Sequence, residues 1–275
     1  MPPDPQDGMI RLERHPLSAD HDPRHRAYAL ITLCNSAKLN CLSSAHITAL
    51  TRNLAGLGKA DDIAAVVLTG EGDKAFIGGA DLNELQRADA DAVRLFITRL
   101  HQACEAIRHC PVPVIAQING FCLGAGLEVA ARCDIRVAAH AAQFGMPEVH
   151  MGLPSVVEAA LLPGLIGWGK TRDILLTGET FGAADAMRMG FIERLAPAQE
   201  GALHQEVRGV VDAIARGAPE AIRAQKALMN RWERVSVDEG IYAGIDAISD
   251  AYLTGEPTTR IAAFFEARAR AKQSR

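Results

Sequence analysis

Apolar residues along this chain recur in two rhythms. Tyr28-Ala29-Leu30-Ile31-Thr32-Leu33 and Ile63-Ala64-Ala65-Val66-Val67-Leu68-Thr69-Gly70 are β-rich runs. The second is apolar almost throughout, the pattern of a strand covered on both faces. Val112-Pro113-Val114-Ile115-Ala116-Gln117-Ile118 and the short Ile135-Arg136-Val137-Ala138 also predict strands. Between them the spacing turns helical. Ser43 or Ser44 can cap a helix through roughly Leu57, a second helix runs from about Ala90 to Arg108, and a third lies around 125–132 after the turn Asn119-Gly120. Strands alternating with helices predict an α/β fold with a mainly parallel sheet and crossover helices. From about Gly164 onward the strand signal fades, and Ala183–Met189, Leu203–Ala215, Pro219–Arg234 and Ala262–Lys272 predict a helical extension. No internal repeat or low-complexity block is visible.

Composition narrows this picture without changing it. A chain of 275 residues fits one large α/β domain with a helical extension and buries a sizeable core. The formal net charge of −4 argues against nucleic acid as a partner, because no basic excess exists to neutralise phosphates. It leaves room for a local basic pocket around a small anionic ligand. Six cysteines (Cys34, Cys41, Cys104, Cys110, Cys122, Cys133) contain no C-x-x-C pair, so neither a zinc site nor a disulfide framework is expected, and a reducing cytoplasm fits. The opening Met1-Pro2-Pro3-Asp4-Pro5-Gln6-Asp7-Gly8 lacks the apolar core of a leader, so a disordered tail is expected over 1–9. No apolar run approaches membrane-spanning length.

The candidate chemistry lies in two carboxylates and two turns. Glu128 sits in Gly124-Ala125-Gly126-Leu127-Glu128-Val129-Ala130-Ala131. An ionised Glu among Leu, Val and Ala is costly to bury, so it needs a partner, a bound water or a raised pKa. Glu148, in Phe144-Gly145-Met146-Pro147-Glu148, is the second acid. In Lys74-Ala75-Phe76-Ile77-Gly78-Gly79-Ala80-Asp81-Leu82-Asn83-Glu84-Leu85 a strand ends, two glycines turn, and Asp81 opens a helical pattern; 119–126 repeats that arrangement. Small residues there let a ligand atom approach backbone N–H groups that the helix cannot itself satisfy. Two helix N-termini aimed at one point would form an oxyanion hole for a developing enolate. A phosphate cradle fails on spacing, since neither G-x-G-x-x-G nor the P-loop pattern is present.

Each feature also has a plainer reading. Glu128 at i,i+4 spacing from Arg132 fits a buried ion pair, Glu148 fits a loop end, and Asp81 fits a helix N-terminal acid. A third acid, Glu158, follows the second closely enough to invite a catalytic role, but Ser155-Val156-Val157-Glu158 has the spacing of a capping box, which favours helix capping. His150 fits a surface histidine, Cys122 a small buried thiol, and Lys38 and Lys226 solvated charges, although either lysine could meet phosphates of a ligand.

Together, Ala75-Phe76-Ile77-Gly78-Gly79-Ala80-Asp81-Leu82, Pro113-Val114-Ile115-Ala116 through Glu128, Phe144–Glu148 with Gly152-Leu153-Pro154, and Leu176-Thr177-Gly178-Glu179 resemble the crotonase family, the enoyl-CoA hydratase/isomerase superfamily. The resemblance spans nearly the whole chain after the tail. It implies a repeated ββα spiral core, over 10–200, and a C-terminal helical trimerisation region, over 201–275. The substrate it implies is an acyl-CoA thioester, with coenzyme A part of the substrate and no further cofactor or metal, in a homotrimer or hexamer. The backbone N–H groups of Ala80 and Ala125 match the positions that hold the thioester oxygen, and Glu128 and Glu148 match the acid/base glutamates of the hydratases. Gly79, Asp81, Leu82, Gly124 and Lys38 join the candidate substrate-binding set, and Ala262-Ala263-Phe264-Phe265-Glu266-Ala267-Arg268 resembles the tail that contacts the CoA nucleotide, which adds Phe264 and Arg268.

Retention of both acids favours hydration of a 2-enoyl-CoA. An acyl-CoA double-bond isomerase using Glu148 as base is the nearest alternative, and a non-catalytic CoA- or RNA-binding homologue a more distant one. Three stretches depart from the pattern. Ala125 replaces the middle glycine of a Gly-Gly-Gly run, Ser155-Val156-Val157 replaces small glycine-rich residues and should reshape the acyl pocket, and Ala267 stands where a Lys is common, leaving Arg268 or another base to compensate.

Overall fold

The computed structural model describes residues 8–18, 22 and 26–273; of the tail expected over 1–9, residues 1–7 lie outside them. Strands β1 (Ile10–Pro16), β2 (Ala27–Leu33), β3 (Ile63–Gly70), β5 (Val114–Ile118), β7 (Ile135–Ala138) and β10 (Arg194–Leu195) form one six-stranded sheet in the order β1-β2-β3-β5-β7-β10. Only the β1–β2 pair is antiparallel. A second sheet joins β4 (Ala75–Ile77), β6 (Phe121–Leu123), β8 (Gln143–Gly145) and β9 (Thr180–Gly182), parallel except at β8–β9. The helices are α1 (Ser44–Leu57), α2 (Leu82–Leu85), α3 (Ala90–His109), α4 (Ala125–Arg132), α5 (Leu162–Thr177), α6 (Ala183–Met189), α7 (Ala202–Ala215), α8 (Pro219–Trp232), α9 (Val237–Leu253) and α10 (Glu256–Gln273).

The apolar run of β3 is buried at every position because both sheet faces are covered. Val66 and Leu68 join the main core with Leu50 and Leu54 of α1 and Leu100 and Ile107 of α3. Ala65 and Val67, pointing the other way, meet Val207, Val210 and Val211 of α7. The first helix of the C-terminal region therefore covers the back of the large sheet, while α8 and α9 pack on each other and α10 leans on α9.

Three successive units repeat one path: a strand in the large sheet, a three-residue strand in the small sheet, then helix. They are β3–β4 followed by α2 and α3, β5–β6 followed by α4, and β7–β8 followed by two 3-10 turns and α5. The repeat is structural, and in the sequence it shows only at the two turns, Gly79-Ala80 and Gly124-Ala125. Several elements escape the sequence pattern. β6 and β8 are too short to show a period, β1 carries charged Arg11, Glu13 and Arg14 on an exposed edge, and β9 and β10 lie where strand signal is absent. α5 and α9 are the omitted helices; the capping box of α9, Ser236 with Glu239, marks its start. No described helix is long and apolar enough to cross a membrane.

Candidate active site

Strands β4, β6 and β8 run parallel with Ile77 beside Cys122 and Leu123 beside Gly145. Their C-terminal ends therefore deliver 78–81, 124–125 and 146–148 to one edge of the small sheet. In open α/β sheets this edge, outside the carboxyl ends of parallel strands, is where ligands bind.

The two turns share one local device. Gly79 has φ +125° and Gly124 φ +50°, a region that favours glycine, and each immediately precedes a proposed donor. Leu42 takes Gly79 O through its own N–H and accepts from Asp81 N–H. In a parallel ladder this leaves the Ala80 N–H facing the opposite side, toward the β6 end. Gly79 lies against Leu123 O, and Ala125 is the first residue of α4, whose opening N–H groups have no partner in the helix. Neither the Ala80 nor the Ala125 N–H makes a hydrogen bond among the described residues.

The two glutamates flank the start of α4. Gly124 N–H donates to Gly145 O at 2.9 Å, locking the β8 end beside the helix N-terminus. Glu148 follows in the 3-10 turn Pro147–Met151, so close that a Cβ on Gly124 would overlap its Oε1. Its Oε2 accepts from Ser155 Oγ at 3.1 Å. Glu128, in the first turns of α4, is 4% exposed. Burial, reinforced by the negative charges of Glu148 and then Glu158, pushes its carboxyl up to about 8, although backbone N–H groups of Ala159 and Val156 favour the charged form. Two acids whose charges oppose each other beside two turn amides can share a proton and exchange it with a ligand.

This burial has a thermodynamic signature. The usual value for a Glu is 4.5. Between there and about 8 the unfolded chain has released the Glu128 proton while the folded chain keeps it, so this group lowers stability as pH rises, by at most about 1.4 kcal/mol per pH unit. Thermal melts of ligand-free protein from about pH 5 to about pH 8 should show Glu128→Gln losing less melting temperature than the parent. Parallel pH slopes would contradict a protonated Glu128.

Other expectations meet the structure unevenly. Arg132 does not pair with Glu128; its guanidinium lies 3.4 Å from Glu233, 3.5 Å from Glu105 and 3.9 Å from Glu158. Glu158 is not a helix cap. Val156 is the cap residue of the 3-10 turn Val157–Leu161, no side chain caps it, and Ser155 is turned to Glu148 instead. Lys226 is not a solvated charge: it is buried and donates to Ile107 O, Val112 O and Asp134 Oδ2, tying α8 to the start of β5.

Asp81 caps α2 by accepting from Asn83 N at 2.9 Å and pairs with Lys38 at 3.2 Å; burial raises its carboxyl, but the Asn83 and Lys38 contacts outweigh it and hold the group below its usual range. Leu82 is half-exposed beside it. His150 is exposed with its ring on Thr177 O, and Cys122 is fully buried, its thiol pushed well up by that burial. Phe264 and Arg268 lie on α10, exposed, with no hydrogen bond or ion pair to the glutamates or the two turns among the described residues. Val157, at φ +37°, is a β-branched residue in the left-handed region, a strained conformation at one of the departures from the family pattern.

Known proteins carry the same organisation. A family model described as enoyl-CoA hydratase/isomerase matches residues 24–271. A short-chain-enoyl-CoA hydratase of Clostridium acetobutylicum is 29% identical over 241 residues, 87% of this chain and 92% of that protein. A crotonyl-CoA hydratase of Syntrophomonas wolfei is 33% identical over 204 residues, 74% of this chain and 78% of that protein. The crystal structure of an enoyl-CoA hydratase from Bacillus anthracis superposes with a TM-score of 0.85 at 28% identity, covering 94% of this chain and 96% of that one. With the ββα path, both glycine turns and the family match all running through the same residues, the chain belongs to the enoyl-CoA hydratase/isomerase family.

Proposed function

We propose that the protein adds water across the C2=C3 double bond of a 2-enoyl-CoA thioester. The observation that carries this reading is the pair Glu128 and Glu148 at the mouth of α4, one deeply buried with its carboxyl pushed up to about 8, the other half-buried and fixed by Ser155. Hydration needs one carboxylate to take a proton from water as its oxygen bonds to C3, and one carboxyl to give a proton to C2. A pair holding one proton between them supplies both. As C3–O forms, negative charge moves from the double bond to the thioester oxygen. The Ala80 and Ala125 N–H groups, with the N-terminus of α4 behind the second, are the donors for that enolate. The addition is redox-neutral, so the coenzyme A of the substrate is the only cofactor this scheme calls for. Relatives named enoyl-CoA and crotonyl-CoA hydratases support the acyl-CoA assignment.

Isomerisation with Glu148 as base and Glu128 secondary is the second reading, favoured by the bulkier Val156 and Val157 standing where the family pattern has small residues. Incubation in ¹⁸O-labelled water separates the two. Labelled 3-hydroxyacyl-CoA should form from a 2-enoyl-CoA faster than a 3-enoyl-CoA is converted to its 2-enoyl isomer. Rapid isomerisation with no label incorporated across a panel of enoyl-CoAs would overturn hydration. For assembly we infer a homotrimer, or a pair of trimers, supported by the apolar side chains that α9 leaves exposed at Ile241, Ile245 and Ile248.

A further inference from the structure

Glu158 is 2% exposed, yet it is neither a helix cap nor one of the paired acids. Its Oε1 meets His101 Nδ1 at 2.8 Å, and its Oε2 is buried with no hydrogen-bond partner. A buried carboxylate with one oxygen unsatisfied is costly, so its retention calls for a role. From α3 it is faced by His101, Cys104 and Glu105, and from α4 by Arg132 and Glu128. α5, packed on its remaining side, keeps Lys170, Arg172 and Asp173 exposed. His101, Glu105 and Glu158 also have the spacing to converge on a cation. Arg132 and Arg234 already place guanidinium groups on Glu105, which makes that cluster an ion-pair network.

We propose that His101 and Glu158 form a positioning pair behind Glu128: the His101 ring clamps the buried Glu158 carboxylate from the solvent side and so fixes the surroundings of Glu128 across the 157–161 turn. The connection is short. Glu158 begins on the same 3-10 turn, 157–161, that packs on α4 and presents the Ala159 N–H to Glu128. Cys104, buried between α3 and that turn, feels both acids, which push its thiol up beyond the effect of burial. His101 is half-exposed, its side chain at 49%, so the clamp is the one part of this chain of contacts that reaches water.

The proposal rests on Glu128 acting in hydration, and its test has one arm without substrate. The pH dependence of melting temperature that Glu128→Gln abolishes reports the Glu128 proton. In Glu158→Gln, which keeps shape but removes the charge, its midpoint should move to lower pH by about one unit. The kcat/KM profile for a 2-enoyl-CoA should move the same way. Exposed His101→Ala should lower kcat several-fold, with His101→Gln, which keeps a donor for Glu158, restoring most of it. An unmoved midpoint in Glu158→Gln, or wild-type turnover in His101→Ala should Glu158→Gln fail to fold, overturns the proposal. If the wild type hydrates no enoyl-CoA, the functional reading falls while the melting arm still decides the role of Glu158.

Discussion

Glu128→Gln and Glu148→Gln should each lower kcat for hydration by about 10²- to 10⁴-fold, the usual contribution of a positioned acid or base. Gln matches Glu in size and, at position 128, resembles the protonated carboxyl that the buried site holds at neutral pH, so folding should survive. What it cannot do is release or take up a proton. The double variant should be little worse than either single one, because two groups that pass one proton act as a unit. Initial-rate measurement on a short 2-enoyl-CoA, with melting curves to confirm folding, decides the matter. A folded single variant with near-parental turnover would remove that residue from the reaction.

Ala125→Pro and Ala80→Pro should cost about 10²- to 10³-fold in rate, the typical effect of losing one oxyanion donor. Ala125 opens α4, where proline is tolerated because the missing N–H has no helical partner. The ladder through Leu42 uses Gly79 O and Asp81 N–H, so Ala80 can lose its N–H without breaking a bond between the segments. Ala→Gly at either position keeps the donor and should be mild. Normal turnover in folded proline variants would place the thioester oxygen elsewhere. A fall confined to kcat, with KM little changed, is the pattern of a donor that acts on the transition state.

Long apolar runs and strong caps are legible in the sequence. β3, β7, the start of α1 at its Ser43 cap and the bounds of α6 follow the pattern closely, because each rests on local spacing or a single capping side chain. The small sheet was less legible. Its three-residue strands are held by neighbours far apart in sequence, such as Phe121 between Ala75 and Gln143, and no window of the chain contains that information. The same division runs through the site. Glu128 stands out as an acid in an apolar helix, and Glu148 through its motif, whereas Glu158 is disguised by a spacing that also suits a cap. What separates the two meanings is the direction of Ser155, which turns to Glu148, and the His101 ring arriving from α3. Lys226 misled for a related reason: one charge on an amphipathic helix looks solvated until two carbonyls and Asp134 close around it.

Gly124 sets a limit on how this enzyme can be re-engineered. Any side chain there meets both a disfavoured φ and the Glu148 carboxylate, so substitution displaces an acid and a backbone donor in one step. The adjacent Ala125 already departs from the glycine of the family pattern, and Val156 and Val157 depart from its small residues. Libraries built around these segments therefore have room at 156, less at 157, where φ is +37°, and none at 124. Tolerance to mutation here follows the backbone geometry, so a residue without side-chain chemistry of its own is harder to replace than its bulkier neighbours.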